Sequence, residues 1–158
     1  MNETLSFEEL LNRDGHLAFT NKGVSMMPLL RQNRDIMLIE KKGNSRCKKL
    51  DAVLFRRPGR SGTGAYVMHR VLRVNPDGTY WIVGDNCISG ETVAEENVLG
   101  ILTGVVRDGK TIPVTDITYR IYVGTWCRFV HVRFVILRGK RFLSRCLRKL
   151  GLRRTGSG

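Results

Sequence analysis

The chain has 158 residues, 42% of them hydrophobic, which is enough for one substantial core and leaves no room for a second catalytic domain. Its 27 Lys and Arg against 14 Asp and Glu give a formal charge of +13, and no acid follows Asp116, so the excess lies toward the C-terminal end. The four cysteines, Cys47, Cys87, Cys127 and Cys146, show neither C-x-x-C spacing nor a short-loop framework, which argues against a zinc site or disulfide scaffold and suits free thiols in a reducing compartment. No cofactor is expected.

Met1 to Asp14 contains no apolar run of signal-peptide or membrane-span length, so the expected location is cytoplasmic or peripheral to a membrane. Ser6 followed three residues later by Glu9 is a capping-box pattern and predicts a short helix that Gly15 ends. Strand-like runs follow at His16 to Thr20, Asp35 to Glu40 and Asp51 to Arg56, with a basic loop at Lys41 to Lys49 and a glycine-rich segment at Gly59 to Gly64. Ala65 to Val74 and Thr79 to Val83 flank Asn75-Pro76-Asp77-Gly78, a hairpin signal, and Val98 to Val106 and Thr111 to Val114 flank an Asp108-Gly109 turn. About seven short strands separated by Gly, Pro and Asn turns predict a mainly β fold, a curled, barrel-like antiparallel domain with helices at its ends. The expected organisation is a β domain over 1–118, a basic amphipathic helical tail over 119–154 and a disordered end at 155–158.

Three pieces of chemistry occur in order: Ser25 in Gly23-Val24-Ser25-Met26-Met27-Pro28, His69 in His69-Arg70-Val71, and Asp85 in Gly84-Asp85-Asn86. A hydroxyl, an imidazole and a carboxylate are the parts of a serine-nucleophile device, which recurs on unrelated folds in different sequence orders. A three-residue bulged loop at 76–78 pairs Asn75 with Thr79 and sets His69 opposite Asp85, where Cβ atoms stand about 4.5 to 5.5 Å apart. A four-residue loop instead brings His69 level with Gly84 and turns the two side chains to opposite faces. Met26 and Met27 are flexible apolar side chains placed to line a substrate groove.

The boxes Gly-x-Ser-Met-x-Pro, His-Arg-Val and Gly-Asp-Asn together resemble the type I signal peptidases and their relatives over about Phe19 to Gly104, in the branch that uses a His where bacterial members use Lys. The resemblance implies a curled β peptidase domain, shared with the SOS repressors, in which Ser25 is the nucleophile, His69 the general base and Asp85 the residue that orients it. Glu91 is the nearest match to the family's second acid. It also implies an oxyanion held by backbone N–H groups including that of Ser25, and leader- or signal-type peptide substrates bound as extended strands with small residues before the cut. The chain departs from the family at Arg34-Asp35 and Leu50-Asp51, where Gly-Asp is common, and at Gly23, where many members carry a hydroxyl.

From Tyr119 to Arg154 apolar and basic residues alternate at helical spacing. Charges at Arg128, His131, Arg133 and Arg138 oppose a membrane-spanning helix, each costing about 2.5 to 3.5 kcal/mol near a helix centre. The segment suits either peripheral contact with an anionic membrane or a helix packed on the β domain with a solvated basic face. A rival function uses the same basic segment to bind nucleic acid, with the β domain a self-cleaving or inactive repressor-type peptidase; a third is a noncatalytic module that offers a sheet edge to a partner.

Overall fold

The computed structural model describes residues 5–58 and 64–149; most of the glycine-rich segment and the expected disordered end lie outside them. Helix α1 (Phe7–Asp14) opens with the capping box the sequence implies: the Ser6 hydroxyl accepts from the Glu9 N–H, and the Glu9 carboxylate accepts from the Ser6 N–H at 2.7 Å. Gly15 closes it at φ 77°, in the left-handed region, by donating its N–H to the Leu11 carbonyl. Leu11 is the helix residue that reaches the core.

Eight strands follow: β1 (His16–Thr20), β2 (Ile36–Lys41), β3 (Ala52–Arg57), β4 (Ala65–Val74), β5 (Tyr80–Val83), β6 (Gly90–Val93), β7 (Val98–Arg107) and β8 (Lys110–Pro113). They form one antiparallel sheet in the order β1-β2-β7-β3-β4-β5-β6, with β8 added on β7. The sequence reading missed β6, because four residues that include Gly90 and Glu91 carry no apolar alternation.

The Ala52-Val53-Leu54-Phe55 run of β3 is apolar at consecutive positions because both faces of this central strand are buried. Leu54 packs with Met26, Leu30, Met37, Met68 and Leu102 on one face. Val53 and Phe55 pack with Val71, Tyr80, Ile82 and Val98 on the other. The antiparallel sheet agrees with expectation, and this two-sided burial corrects only its barrel-like character. The sheet stays open, with β1 and β6 as its ends, because separate clusters cover its two faces and closure is not needed to make a core. Bulges at Leu38/Ile39, Leu54/Phe55 and Val71/Arg73 supply local curvature.

The β4–β5 turn forms as the three-residue loop predicts: Asn75 N–H donates to the Thr79 carbonyl at 2.8 Å, Gly78 stands at φ 91°, and Val74 faces Tyr80. The pairing then slips, because Leu72 is bulged out between Arg73↔Trp81 and Val71↔Ile82. His69 therefore comes level with Gly84 and not with Asp85, and the expected cross-strand pair does not form.

After β8, Asp116 caps helix α2 (Ile117–Tyr122) through the Thr118 N–H, and α2 runs on through a π-helical turn (Val123–Cys127) to helix α3 (Val130–Lys149). The helical character of this segment agrees with the sequence reading. Its first half is packed on the sheet, where Cys127, Arg133 and Leu137 are buried. No helix among the described residues is long and apolar enough to cross a membrane.

Phe55, fully buried between β4 and β7, is the side chain whose removal tests the two-sided core. Phe55→Ala is expected to cost about 3 to 5 kcal/mol by urea denaturation; a loss below about 1 kcal/mol would contradict close packing on that face.

Candidate active site

The loop that carries Ser25 is fixed at both ends by backbone and charge. Asn21 N–H donates to the Asp35 carbonyl and Asn33 N–H to the Asn21 carbonyl, which closes the loop at its base. The buried Asp35 carboxylate accepts from the Arg31 N–H at 2.9 Å and from Arg107 Nε at 3.2 Å, and Arg107 also donates to the Leu29 carbonyl at 2.6 Å. Arg107 from the end of β7 thus ties the limb of the loop that follows Ser25 to the sheet. Asp35 fulfils this role without a preceding glycine. At the other non-glycine position, Leu50 adopts φ 79°, a conformation that glycine reaches more cheaply.

The Gly84-Asp85-Asn86 turn leans directly on this loop. Asn86 N–H donates to the Ser25 carbonyl at 2.7 Å, and Asn86 Nδ2 donates to the Val24 carbonyl at 3.2 Å. A Cβ placed on Gly84 would stand 2.7 Å from the Ser25 carbonyl oxygen and 3.0 Å from His69 Cδ2. Only glycine permits this approach, and it brings the Ser25 carbonyl and the Cδ2 atom of the imidazole to one point. Ser25 and His69 line a common cavity of about 880 Å³ whose other walls include Phe7, Phe19, Met37, Leu54, Tyr66 and Met68. Among the described residues no hydrogen bond joins Ser25 Oγ to His69.

His69 itself is buried, and among the described residues its Nδ1 has no hydrogen-bond partner. The nearest acid is Glu91: its Oε1 lies 3.7 Å from Nδ1, beyond hydrogen-bond length. Glu91 is held from the other side by Arg57, with Arg57 Nε donating to Glu91 Oε2 at 2.7 Å. Burial depresses the imidazole below the ordinary histidine value; the Glu91 carboxylate opposes that shift and the Arg57 guanidinium adds to it. His69 is accordingly neutral at pH 7.

Asp85 has a different task from the one the sequence suggested. Its fully buried carboxylate accepts from Arg70 Nε at 2.9 Å, Arg70 Nη2 at 2.8 Å, the Tyr122 hydroxyl at 2.9 Å and Arg133 Nη1 at 3.4 Å. Trp126 Nε1 donates to the Asp85 carbonyl at 3.1 Å. The physical reason is the alternation of a strand: His69 and Arg70 are consecutive and point to opposite faces, and Asp85 goes to the face of the guanidinium. Burial alone would depress Arg70, but Asp85 more than reverses this and holds it well above its ordinary value. Tyr122 is pushed up by burial and by the Asp85 charge, and Cys127 is pushed up to about 12 by the same two causes.

The other expected residues separate. Glu91, the nearest match to the family's second acid, stands with His69. Met26 is buried in the core, since the turn that bonds Leu30 N–H to the Met26 carbonyl faces it inward, and Met27 is exposed. The methionines of the cavity are Met37 and Met68 instead, with Cys87 at its rim. Burial pushes the Cys87 thiol up, so it is a weak nucleophile. Among the described residues no group of three or more His, Cys, Asp or Glu is placed to hold a metal ion. Sequence reasoning passed over Arg57, Arg70, Arg133 and Tyr122; an arginine inside the apolar run of β4 was the available signal for a buried carboxylate partner.

Comparison with known proteins adds no assignment: no protein-family model matches the chain, and searches of curated proteins and of solved structures find no match.

The two acids should separate by stability. Asp85→Asn leaves two buried guanidinium groups without a counter-charge and is expected to cost about 3 to 5 kcal/mol in urea denaturation. Glu91→Gln, at a half-exposed pair, should cost less than about 1 kcal/mol. Equal losses would contradict the assignment of Asp85 to the structural clasp.

Proposed function

We propose that the chain is a serine endopeptidase of signal-peptidase-like type, in which Ser25 is the nucleophile, His69 the general base and Glu91 the acid behind the base. The observation that carries this reading is the approach at Gly84, where the Ser25 carbonyl oxygen and His69 Cδ2 both lie within 3.0 Å of the point a Gly84 Cβ would occupy, while Ser25 and the buried His69 line one large cavity. In the proposed reaction Ser25 Oγ attacks the scissile carbonyl carbon while its proton passes to His69 Nε2. Backbone N–H groups, that of Ser25 among them, hold the oxyanion; His69 then returns the proton to the leaving amine, and water hydrolyses the acyl-enzyme. Catalytic hydrogen bonds are often long before substrate binds, so a Ser25–His69 bond that forms in the complex fits the reading. The 3.7 Å gap between the protonated Nδ1 and Glu91 would close in the same way as the ring gains its second proton at Nε2.

The substrate binds as an extended strand. From Ala65 to His69, β4 pairs with β3 on one side alone, because β5 begins its pairing at Arg70. The free backbone edge there borders the cavity through Tyr66, Val67, Met68 and His69, which suits β-strand addition. Phe7, Phe19, Met37, Leu54 and Met68 give the cavity an apolar lining. That lining supports a leader-type peptide with a bulky apolar side chain near the cut, larger than the small residues the family resemblance implies.

Purified protein and leader-like peptides test the reading. Ser25→Ala should abolish cleavage, and His69→Ala should lower kcat by about 100- to 10,000-fold. Because His69 must be neutral to act as base, kcat/KM should rise with pH along an acid limb centred below the ordinary histidine pKa of about 6.5. Glu91→Gln removes the charge that holds the imidazole up against burial, so it should move that limb to still lower pH. Turnover by Ser25→Ala equal to that of the parent protein would end the proposal, and a limb unmoved by Glu91→Gln would remove Glu91 from it.

A further inference from the structure

Helix α3 is amphipathic in an unusual sense. Its inward edge holds Arg133 and Leu137, both buried, whereas Val132, Val135, Ile136, Phe142 and Leu143 are exposed. Those five residues recur at spacings of three, four and seven and so share one face of the helix. Val135 and Phe142 remain 70% and 69% exposed, which no contact with the sheet accounts for. Phe129, 59% exposed, extends the stripe at its N-terminal end. Arg138, Lys140 and Arg145 are exposed along its flanks, while Arg141 on the opposite side donates to the Asn86 carbonyl at 3.4 Å.

We propose that this outward face of α3 docks on an anionic lipid bilayer, with the helix lying in the plane of the interface. Charge complementarity selects that occupant. The sequence has no Asp or Glu after Asp116, so every charged flank of the stripe is basic and faces anionic headgroups favourably. A second copy of the chain would bring the same acid-free flanks together in a molecule of net charge +13. Nucleic acid would satisfy the charges and leave the apolar stripe in water. An amphipathic helix with an apolar face and Lys and Arg beside it is the form that buries such a stripe at a membrane surface. This surface is independent of the catalytic reading and stands or falls separately from it.

Flotation of the full chain with vesicles of phosphatidylcholine alone, and of phosphatidylcholine and phosphatidylglycerol in equal parts, tests the proposal. Co-flotation with the anionic vesicles and not with the neutral ones is expected, and high salt should weaken it. Val135→Asp with Phe142→Asp should reduce partitioning more than about tenfold, since both side chains leave the acyl boundary. Arg138→Gln with Lys140→Gln should reduce it about fivefold per charge removed. The four positions are exposed, so the fold should persist, and urea denaturation of each variant checks this. Absence of the parent protein from the floating fraction, equal flotation of the double-Asp variant, or a concentration-dependent dimer that the double-Asp variant disperses would each overturn the proposal. So would DNA binding in place of vesicle binding.

Discussion

A single buried carboxylate organises this molecule. Asp85 has no exposed surface, and an ion in that position costs several kcal/mol unless its lone pairs are matched. Arg70 from β4, Tyr122 from α2 and Arg133 from α3 converge on it, so one charge ties the middle of the sheet to the C-terminal helices. Its neighbour Asn86 is bonded to the Ser25 loop through Ser25 and Val24. The position of the Ser25 loop relative to His69 therefore depends on electrostatics on the far side of β4. A loop of this kind needs no lid or hinge to be placed, because the turn that fixes it is itself clamped.

This arrangement also explains why the His69 ring favours its neutral form beside an acid. A carboxylate near an imidazole ordinarily favours the cation. Here Glu91 is already engaged by Arg57, at a distance from Nδ1 that prevents a hydrogen bond, and burial wins. The two acids thus divide the work by face. Asp85 meets a permanent cation in the interior, and Glu91 meets a titratable one at the edge of the cavity. Had the two been exchanged, the imidazole would lie against a fully buried charge and be driven toward its protonated form, which cannot accept a proton from serine.

Local rules carried the sequence reading a long way where local forces decide. The capping box at Ser6 and Glu9, the stop at Gly15, and the loop at Asn75 to Thr79 appear as the side chains require, because each is satisfied within a few residues of chain. The extent of β4 was legible for the same reason. What failed was register. The bulge at Leu72 is set by packing on two faces of the sheet, and one residue of slip is enough to send Asp85 to the side of Arg70. The role of Asp85 was thus hidden by an event four residues from the turn that the sequence does determine. Sheet closure was illegible on similar grounds, since alternation shows that a face is buried and says nothing of what covers it. Met26 and Met27 show the limit at the scale of a single turn: adjacent apolar residues after Ser25 part company, one into the core and one to the surface.

The C-terminal helix inverts the usual distribution of a surface helix. Core-facing positions are normally apolar and outward ones polar. On α3 a guanidinium points inward beside Leu137, and five apolar residues point out. Neither half of the inversion is explained by the other. Arg133 is inside because Asp85 is there, and even so its Nε and Nη2 find no protein acceptor among the described residues, so packing alone gives it no advantage over a leucine. Its value lies in the joint it makes: a charge that has one partner in the interior fixes the rotation of the helix about its own axis, as a leucine at that position would not. Once that rotation is fixed, the direction in which Val135 and Phe142 point is fixed as well. The same carboxylate that anchors the turn against the Ser25 loop thus also decides which face of α3 the molecule presents to its surroundings.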